Sequence, residues 1–269
     1  MDVVDGGWVR AALPGFFSPL EVAASVPTTM ARAAELAASG VPEGATVVAE
    51  EQTEGRGRLG RAWVAPPGSS LLVSVVLRPP ITTDAVWLTV AAAGAALAGA
   101  VDEVAPGAAP AGLKWPNDLE LGGRKAAGLL AEARLEGGRL AAVLLGMGVN
   151  VTQGADDLPP EAAGRATSVR LAAGAPVDRA ELLAAWAGRF LSGYQALCAG
   201  RPGEVLAAYR DRLVTVGRRV RADRVGAGPV TGTAVDLTPT GALVIRTDAG
   251  ARVEVTAADV HHLRGVEAG

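Results

Sequence analysis

The chain has 269 residues, 49% of them hydrophobic, and a formal net charge of −3 at neutral pH. That length supports one sizeable α/β core plus a small appended module, and the charge argues against a broad electrostatic footprint for nucleic acid while leaving room for a local basic patch. No run of eighteen or more apolar residues escapes interruption by charge, Pro or Gly, and the N-terminus MDVVDGGWVR is acidic where a signal peptide is basic, so the chain reads as soluble and cytoplasmic.

Residues 28–39 carry Ala, Leu and Met at helical spacing, open on threonines that can cap and stop at Gly40, which predicts a helix. TVVAEEQ (46–52) predicts a strand, residues 53–61 a Gly/Arg-rich loop, and SLLVSVVLRP (70–79) a second strand ending at prolines. Residues 84–103 form an alanine-rich apolar segment best read as a buried helix, ended by the Pro- and Gly-bearing stretch 106–112. Two glycine-punctuated strands, 125–134 and 139–151, meet at Glu136-Gly137-Gly138 as a hairpin. A polar loop (152–166) leads to two helical segments within 178–212, broken at 200–203. From Thr215 onward short alternating runs between Gly, Pro and Asp turns predict a small all-β unit, so the chain divides into 1–214 and 215–269.

Residue counts narrow the chemistry. The single cysteine, Cys198, lies in a helical pattern and reads as core. The two histidines, His261 and His262, are adjacent in an extended run and point to opposite faces, which disfavours zinc chemistry and His-based triads. Of 25 basic residues only Lys114 and Lys125 are lysine. A codon-composition bias accounts for the deficit, but where arginine is the default cation a retained lysine suggests a compact point charge with three donors.

Three segments carry candidate chemistry. In QTEGRGRLGR (52–61) glycines permit close backbone approach and guanidinium groups bind phosphate oxygens, giving an anion clamp; a solvated basic loop or a minor nucleic-acid contact is the alternative. It is not a P-loop, since GxxxxGK[ST] occurs nowhere. LKWPNDLELGGRKAAGLL (113–130) places an amide and a carboxylate at a strand end and returns Lys125 towards them, or is an ordinary Asn-Asp turn followed by an edge lysine. In GMGVNV (146–151) alternate glycines leave room for a ligand, or simply thin a strand packed against a helix; the third glycine of GxGxxG is missing.

In order and sequence these segments resemble the biotin–protein ligase family, which carries a GRGRxGR loop, KWPND followed by lysine in a K-x-A-G-I/L-L context, and a G-x-G-x-N strand. Here they fall at 55–61, 114–118, 125–130 and 146–150, and the resemblance runs from about 28 to 264, including ATS at 166–168 and the terminal AADVHHLR. It implies an α/β (α+β) fold: a mixed sheet flanked by helices, class II synthetase-like, followed by a small SH3-like β-barrel. The activity implied is ATP-dependent activation of biotin as biotinyl-5'-adenylate and transfer to a lysine of a biotin carboxyl carrier domain, with Mg²⁺ and no protein metal ligands assigned.

By resemblance Lys125, Arg56 and Arg58 are catalytic, Lys125 bridging the biotin carboxylate and the α-phosphate. Thr28, Thr29, Gln52, Gly55, Arg56, Lys125, Gly128, Leu130 and Gly146 match the biotin site. Arg56, Arg58, Arg61, Trp63, Asn117, Lys125, Val149, Asn150 and Arg264 match the ATP and adenylate site. Asp118 orients the acceptor amine or holds the clamp, and the clamp is expected to close over the adenylate to exclude water. Partners implied are biotin, ATP and the carrier domain of a biotin-dependent carboxylase, with no DNA and no membrane; a homodimer through the sheet edge is allowed. About 27 residues precede the 28–39 helix, too few for a winged helix-turn-helix, which implies a ligase without repressor function. Where the family has Ser-Thr-Asn, this chain has Thr28-Thr29-Met30, and methionine cannot make asparagine's hydrogen bonds. Three other readings remain open: a lipoate–protein ligase, whose Arg-Arg-x-Ser-Gly-Gly-Gly segment is missing; a nucleic-acid-binding regulator; and a non-catalytic biotin binder.

Overall fold

The structure, a computed structural model, describes residues 6–224, 226–256 and 258–263. In chain order it contains α1 (Gly7–Ala12), β1 (Leu20–Val26), α2 (Thr29–Ala38), β2 (Thr46–Gln52), β3 (Ser70–Leu77), α3 (Trp87–Val104), β4 (Gly112–Lys114), β5 (Asp118–Leu121), β6 (Arg124–Glu136) and β7 (Arg139–Asn150). Then follow α4 (Val169–Ala173), α5 (Arg179–Cys198), α6 (Pro202–Arg210) and β8 (Arg219–Arg224), β9 (Val230–Leu237), β10 (Leu243–Thr247), β11 (Arg252–Val255) and β12 (Ala258–His262). The first seven strands form one mixed sheet in the order β1-β2-β3-β7-β6-β5-β4. β1 and β2 are parallel and the remaining pairings antiparallel.

Strand alternation decides what each face can do. In β3, Leu71, Val73, Val75 and Leu77 join the large core with α3 and α5, while Val76 faces α2 with Ala142 and Leu144 of β7. In β7, Val143, Leu145, Met147 and Val149 also enter the large core, which leaves Gly146, Gly148 and Asn150 on the α2 face. α2 covers only one end of that face, against Val47, Val76 and Leu144, so the sheet beyond it is available for a site. α2 starts where its cap demands: the Thr28 hydroxyl accepts from the Ala31 N–H at 2.9 Å.

The opposite face is closed by α3, α5 and α6. Trp186 and Phe190 stack in α5 with centroids 5.0 Å apart, and Phe17 packs against both. Truncating one such ring to alanine costs about 3–5 kcal/mol. The segment 83–104 is long and apolar enough to cross a membrane by composition, but most of it is buried inside the fold. Cys198, half-buried at the end of α5, lies against Tyr194, and burial pushes its thiol up.

Most expected elements stand, the second strand stopping at Leu77 before Arg78 and the prolines. Gly137 and Gly138 both take positive φ, 54° and 78°, as the tight β6–β7 turn requires. The break between the last two helices is tighter than expected: Gly200 (φ 71°) ends α5, and Pro202 starts α6, placing Gly203 inside the helix. Residues after 214 form an antiparallel five-stranded sheet, β11-β10-β9-β8-β12. Among the described residues no β11–β12 pairing closes it into a ring.

This second sheet is tied to the first. The Leu113 N–H donates to Arg212 O at 2.7 Å and the Val214 N–H to Leu113 O at 2.9 Å, so the connecting segment runs along the free edge of β4.

Candidate functional site

The open part of the α2 face has a floor of glycines. Gly128 of β6 lies opposite Gly148 of β7, and Leu130 opposite Gly146. A Cβ at Gly148 would sit 2.8 Å from Trp63 Cε2, and one at Gly146 2.8 Å from Met30 Sδ. Only glycine lets the indole and the thioether rest on the strands at those points. The Trp63 Nε1 donor is buried without a hydrogen-bond partner, an unsatisfied group of the kind that binding sites retain.

At the α2 end of the floor, Gln52 Oε1 accepts from the Thr29 N–H at 2.8 Å and from the Thr29 hydroxyl at 3.1 Å. Ser74 donates to Thr29 Oγ1 at 2.8 Å. Thr28, Thr29 and Gln52 are thus brought together as expected, and Ser74 joins them. Sequence reasoning passed over Ser74, although a polar residue in the middle of the apolar run LLVSVVL, opposite Gly146 across the ladder, was a usable signal.

At the other end stands the KWPND turn. Lys125 Nζ lies 2.6 Å from Asp118 Oδ1 and 5.9 Å from the centroid of the Trp63 ring. Asn117 donates to Leu129 O at 2.8 Å and accepts from Arg58 Nη1 at 3.3 Å. Burial pushes the Arg58 pKa down from its ordinary value; Asp118 opposes this and Arg61 adds to it. A partly desolvated guanidinium whose hydrogen bond goes to a neutral amide is disposed towards an anion. Behind it a cavity of about 120 Å³ is bounded by Trp87, Pro116, Asn117, Leu130 and Thr256. The second lysine, Lys114, lies 3.8 Å from Glu120, whose carboxyl is raised chiefly by burial.

The Gly/Arg loop is a small hairpin of its own. Trp63 N–H donates to Gly55 O at 2.8 Å and Gly57 N–H to Arg61 O at 2.7 Å, with one 3-10 turn (Arg58–Gly60) at the tip. Gly55 is obligatory, since a Cβ there would lie 2.3 Å from Trp63 O. The three arginines diverge. Arg58 reaches Asn117, Arg61 pairs with Asp259 of β12, and Arg56 is 73% exposed with Glu54 at 3.6 Å. Of the three, Arg58 alone is bonded to the KWPND turn that carries Lys125's partner.

Two expected nucleotide contacts are placed differently. The Val149 side chain is fully buried in the core on the opposite side of the sheet, because it alternates with Gly148; only its backbone borders the site. Asn150 lies on the site face, but its amide donates to Thr167 O at 3.1 Å and accepts from Gln153 at 3.2 Å, which braces the ATS segment. Arg264 lies outside the described residues. Among the described residues no cluster of three or more His, Cys, Asp or Glu could hold a metal ion.

Comparison with known proteins bears on this arrangement. Residues 22–150 match the model of the biotin/lipoate A/B protein ligase family, and residues 215–263 that of the biotin protein ligase C terminal domain. The chain is 37% identical over 253 residues to the biotin--[acetyl-CoA-carboxylase] ligase of Mycobacterium tuberculosis, covering 91% of this chain and 89% of that one. It is 34% identical over 236 residues to the bifunctional ligase/repressor BirA of Bacillus spizizenii, covering 87% and 71%. A solved structure of biotin protein ligase from Aquifex aeolicus in complex with biotin and ATP is similar with a TM-score of 0.77 and 28% identity, covering 92% of this chain and all of that one.

Proposed function

The chain belongs to the biotin/lipoate A/B protein ligase family and is an ATP-dependent biotin ligase, and from that premise we propose how its side chains divide the reaction. It activates biotin as biotinyl-5'-adenylate and transfers the biotinyl group to a lysine of a carboxylase carrier protein. The observation that carries the assignment is the Lys125–Asp118 pair at 2.6 Å, beside the glycine floor and next to the half-buried Arg58.

In the first step a biotin carboxylate oxygen attacks the α-phosphorus of ATP; an O–P bond forms, the bond to pyrophosphate breaks, and pyrophosphate leaves. Negative charge gathers on the α-phosphate oxygens, and preorganised cations in a site shielded from water stabilise it best. Lys125, held by Asp118, is the fixed cation between carboxylate and phosphate, and Arg58 is the second. Arg56 swings in from solvent and Arg61 exchanges Asp259 for phosphate as the hairpin closes. Thr28, Thr29 and Gln52 read the ureido head, while Gly55, Gly128, Leu130 and Gly146 bound its pocket. Trp63 and Asn117 border the adenylate, and Val149 and Asn150 support that side through backbone and loop. Mg²⁺ enters with ATP as the counter-ion of its phosphates.

In the second step the carrier lysine amine attacks the acyl carbon; a C–N bond forms, the acyl–phosphate C–O bond breaks, AMP leaves and the amine proton passes to solvent. Asp118 is placed to orient that amine once Lys125 turns towards phosphate. We assign residues 1–214 as the catalytic unit and 215–269 as a separate β unit, and place the enzyme in the cytoplasm.

The test is the mass shift of a purified biotin carboxyl carrier domain incubated with the enzyme, Mg-ATP and either biotin or lipoate. A biotin-sized increment that drops about 1,000-fold in rate with Lys125→Ala is expected. A lipoyl increment, or full activity in the variant, overturns the assignment.

A further inference from the structure

The Trp115–Asn117 turn is held from outside its own sheet. Thr215 Oγ1 accepts from the Trp115 N–H at 2.9 Å, and Gly241 O accepts from the Trp115 indole at 2.9 Å. Pro116 O accepts from the Trp87 indole at 2.8 Å, and Trp87 in turn packs against Gly241, where a Cβ would lie 1.8 Å from the ring. Two of these three acceptors or donors belong to the second β unit.

Thr215 is fully buried and has a single hydroxyl proton. Its oxygen receives the Trp115 N–H on one lone pair and shares a further hydrogen bond with His262 Nε2, 3.3 Å away on β12, the donor being set by the imidazole tautomer. In the neutral imidazole either tautomer of His262 makes this contact. Its surroundings favour the neutral form: burial, with Lys114 and Arg218 facing it, pushes the His262 pKa down to about 4. Lys114 and Arg218 come from different elements, β4 and the segment before β8, and Glu120 stands across from Lys114.

We propose that His262 and Thr215 form a positioning relay, in which β12 sets the backbone of the KWPND turn and thereby the places of Asn117, Asp118, Arg58 and Lys125. Neither residue touches substrate. The relay acts because Asn117 and Asp118 follow Trp115 with only Pro116 between, and hold Arg58 and Lys125 at 3.3 and 2.6 Å. Displacing a catalytic group by about 1 Å costs on the order of 100-fold in rate. The biotin-head group, Thr29, Gln52 and Ser74, has no bond to the relay among those described.

The inference rests on the adenylation assignment for its kinetic readout and is independent of it for its structural one. The full chain is compared with Thr215→Val, Thr215→Ser, His262→Leu and His262→Gln by biotin-dependent pyrophosphate release and by hydrogen exchange of residues 113–121. Thr215→Val is expected to lower kcat about tenfold, with KM for biotin within about twofold of the parent. Thr215→Ser and His262→Gln, which keep the hydroxyl or the acceptor, restore kcat, and His262→Leu loses about fivefold. Exchange of 113–121 should quicken in Thr215→Val and His262→Leu and not in the conservative variants. If Thr215→Val does not fold, His262→Leu alone decides. An unchanged kcat in folded His262→Leu, or a loss in KM for biotin as large as that in kcat, overturns the relay. Unchanged exchange of 113–121 overturns it even if the parent releases no pyrophosphate, the result that would defeat the adenylation assignment itself.

Discussion

The hairpin at 53–63 and the turn at 114–118 both deliver polar groups to one end of the sheet, but they are held in opposite ways. The hairpin is fastened by its own backbone bonds, and its arginines end in solvent, on a neutral amide, and on a carboxylate of another sheet. The turn has its backbone and side-chain groups committed: Trp115 to Thr215 and Gly241, Pro116 to Trp87, Asn117 to Leu129, Asp118 to Lys125. A loop whose backbone from 55 to 63 bonds only to itself, and whose outside ties are side-chain ends, can move as one piece, whereas a turn pinned through its backbone from several sides cannot. On the mechanism proposed above, fixed charge for the transition state is assigned to the turn and gating to the hairpin.

On that division, the arginine lodged against the turn should matter more than the exposed Arg56. Arg58→Ala is expected to lower kcat/KM for adenylate formation about 100-fold and Arg56→Ala about tenfold. Equal losses in steady-state pyrophosphate release would erase the distinction. Next comes the surface between the two regions. Gly148→Ala puts a methyl group 2.8 Å from Trp63 Cε2, and KM for ATP should rise about tenfold as the indole is displaced. Gly188→Ala, where nothing lies within 4 Å of the new Cβ, is the control and should leave kinetics unchanged.

Smaller effects test how the turn is pinned and the hairpin is not. The folded pKa of His262, about 4, lies below its ordinary 6.5. Between those values the unfolded chain binds a proton that the folded one refuses, so this histidine's contribution to stability is present above about pH 6.5 and is lost as pH falls towards 4. The melting temperature should therefore decline over that window less steeply in His262→Gln than in the parent; parallel profiles would disprove the linkage. Smallest of all is Asp259→Asn. The Arg61–Asp259 pair is well exposed on the arginine side, so its loss should shift Tm by no more than about 3 °C. KM for ATP should fall about twofold, as phosphate no longer competes with the carboxylate, and a rise would mean that Asp259 holds the hairpin in its working position.

What the sequence disclosed follows the range of each signal. β2 and α2 were legible because a short apolar run and a capped, Gly-terminated periodicity are local properties. β1 was not: LEVAASV is short and rich in small residues, and only its parallel register with β2, more than twenty residues away, makes it a strand. The composition of the Gly/Arg loop pointed to anions, but the separate fates of Arg58 and Arg61 are decided by Asn117 and Asp259, far along the chain. Val149 shows the reverse hazard. Its motif was right, but the two-residue alternation that opens Gly148 to the site turns its neighbour into the core. The tie from Thr215 to Trp115 spans 100 positions, and nothing local announces it.

The scarcity of lysine acquires a chemical meaning from where the two lysines lie. Both are ion-paired at the site, Lys125 with Asp118 and Lys114 with Glu120, and the other cations of the chain are arginines, whose guanidinium stays protonated and is a poor nucleophile. A mixed anhydride that slips past the hairpin therefore meets no lysine amine elsewhere on the enzyme's own surface. The enzyme offers its own activated product only two lysine amines, both ion-paired, so an acyl group that escapes is expected to go to water or to a lysine on another protein.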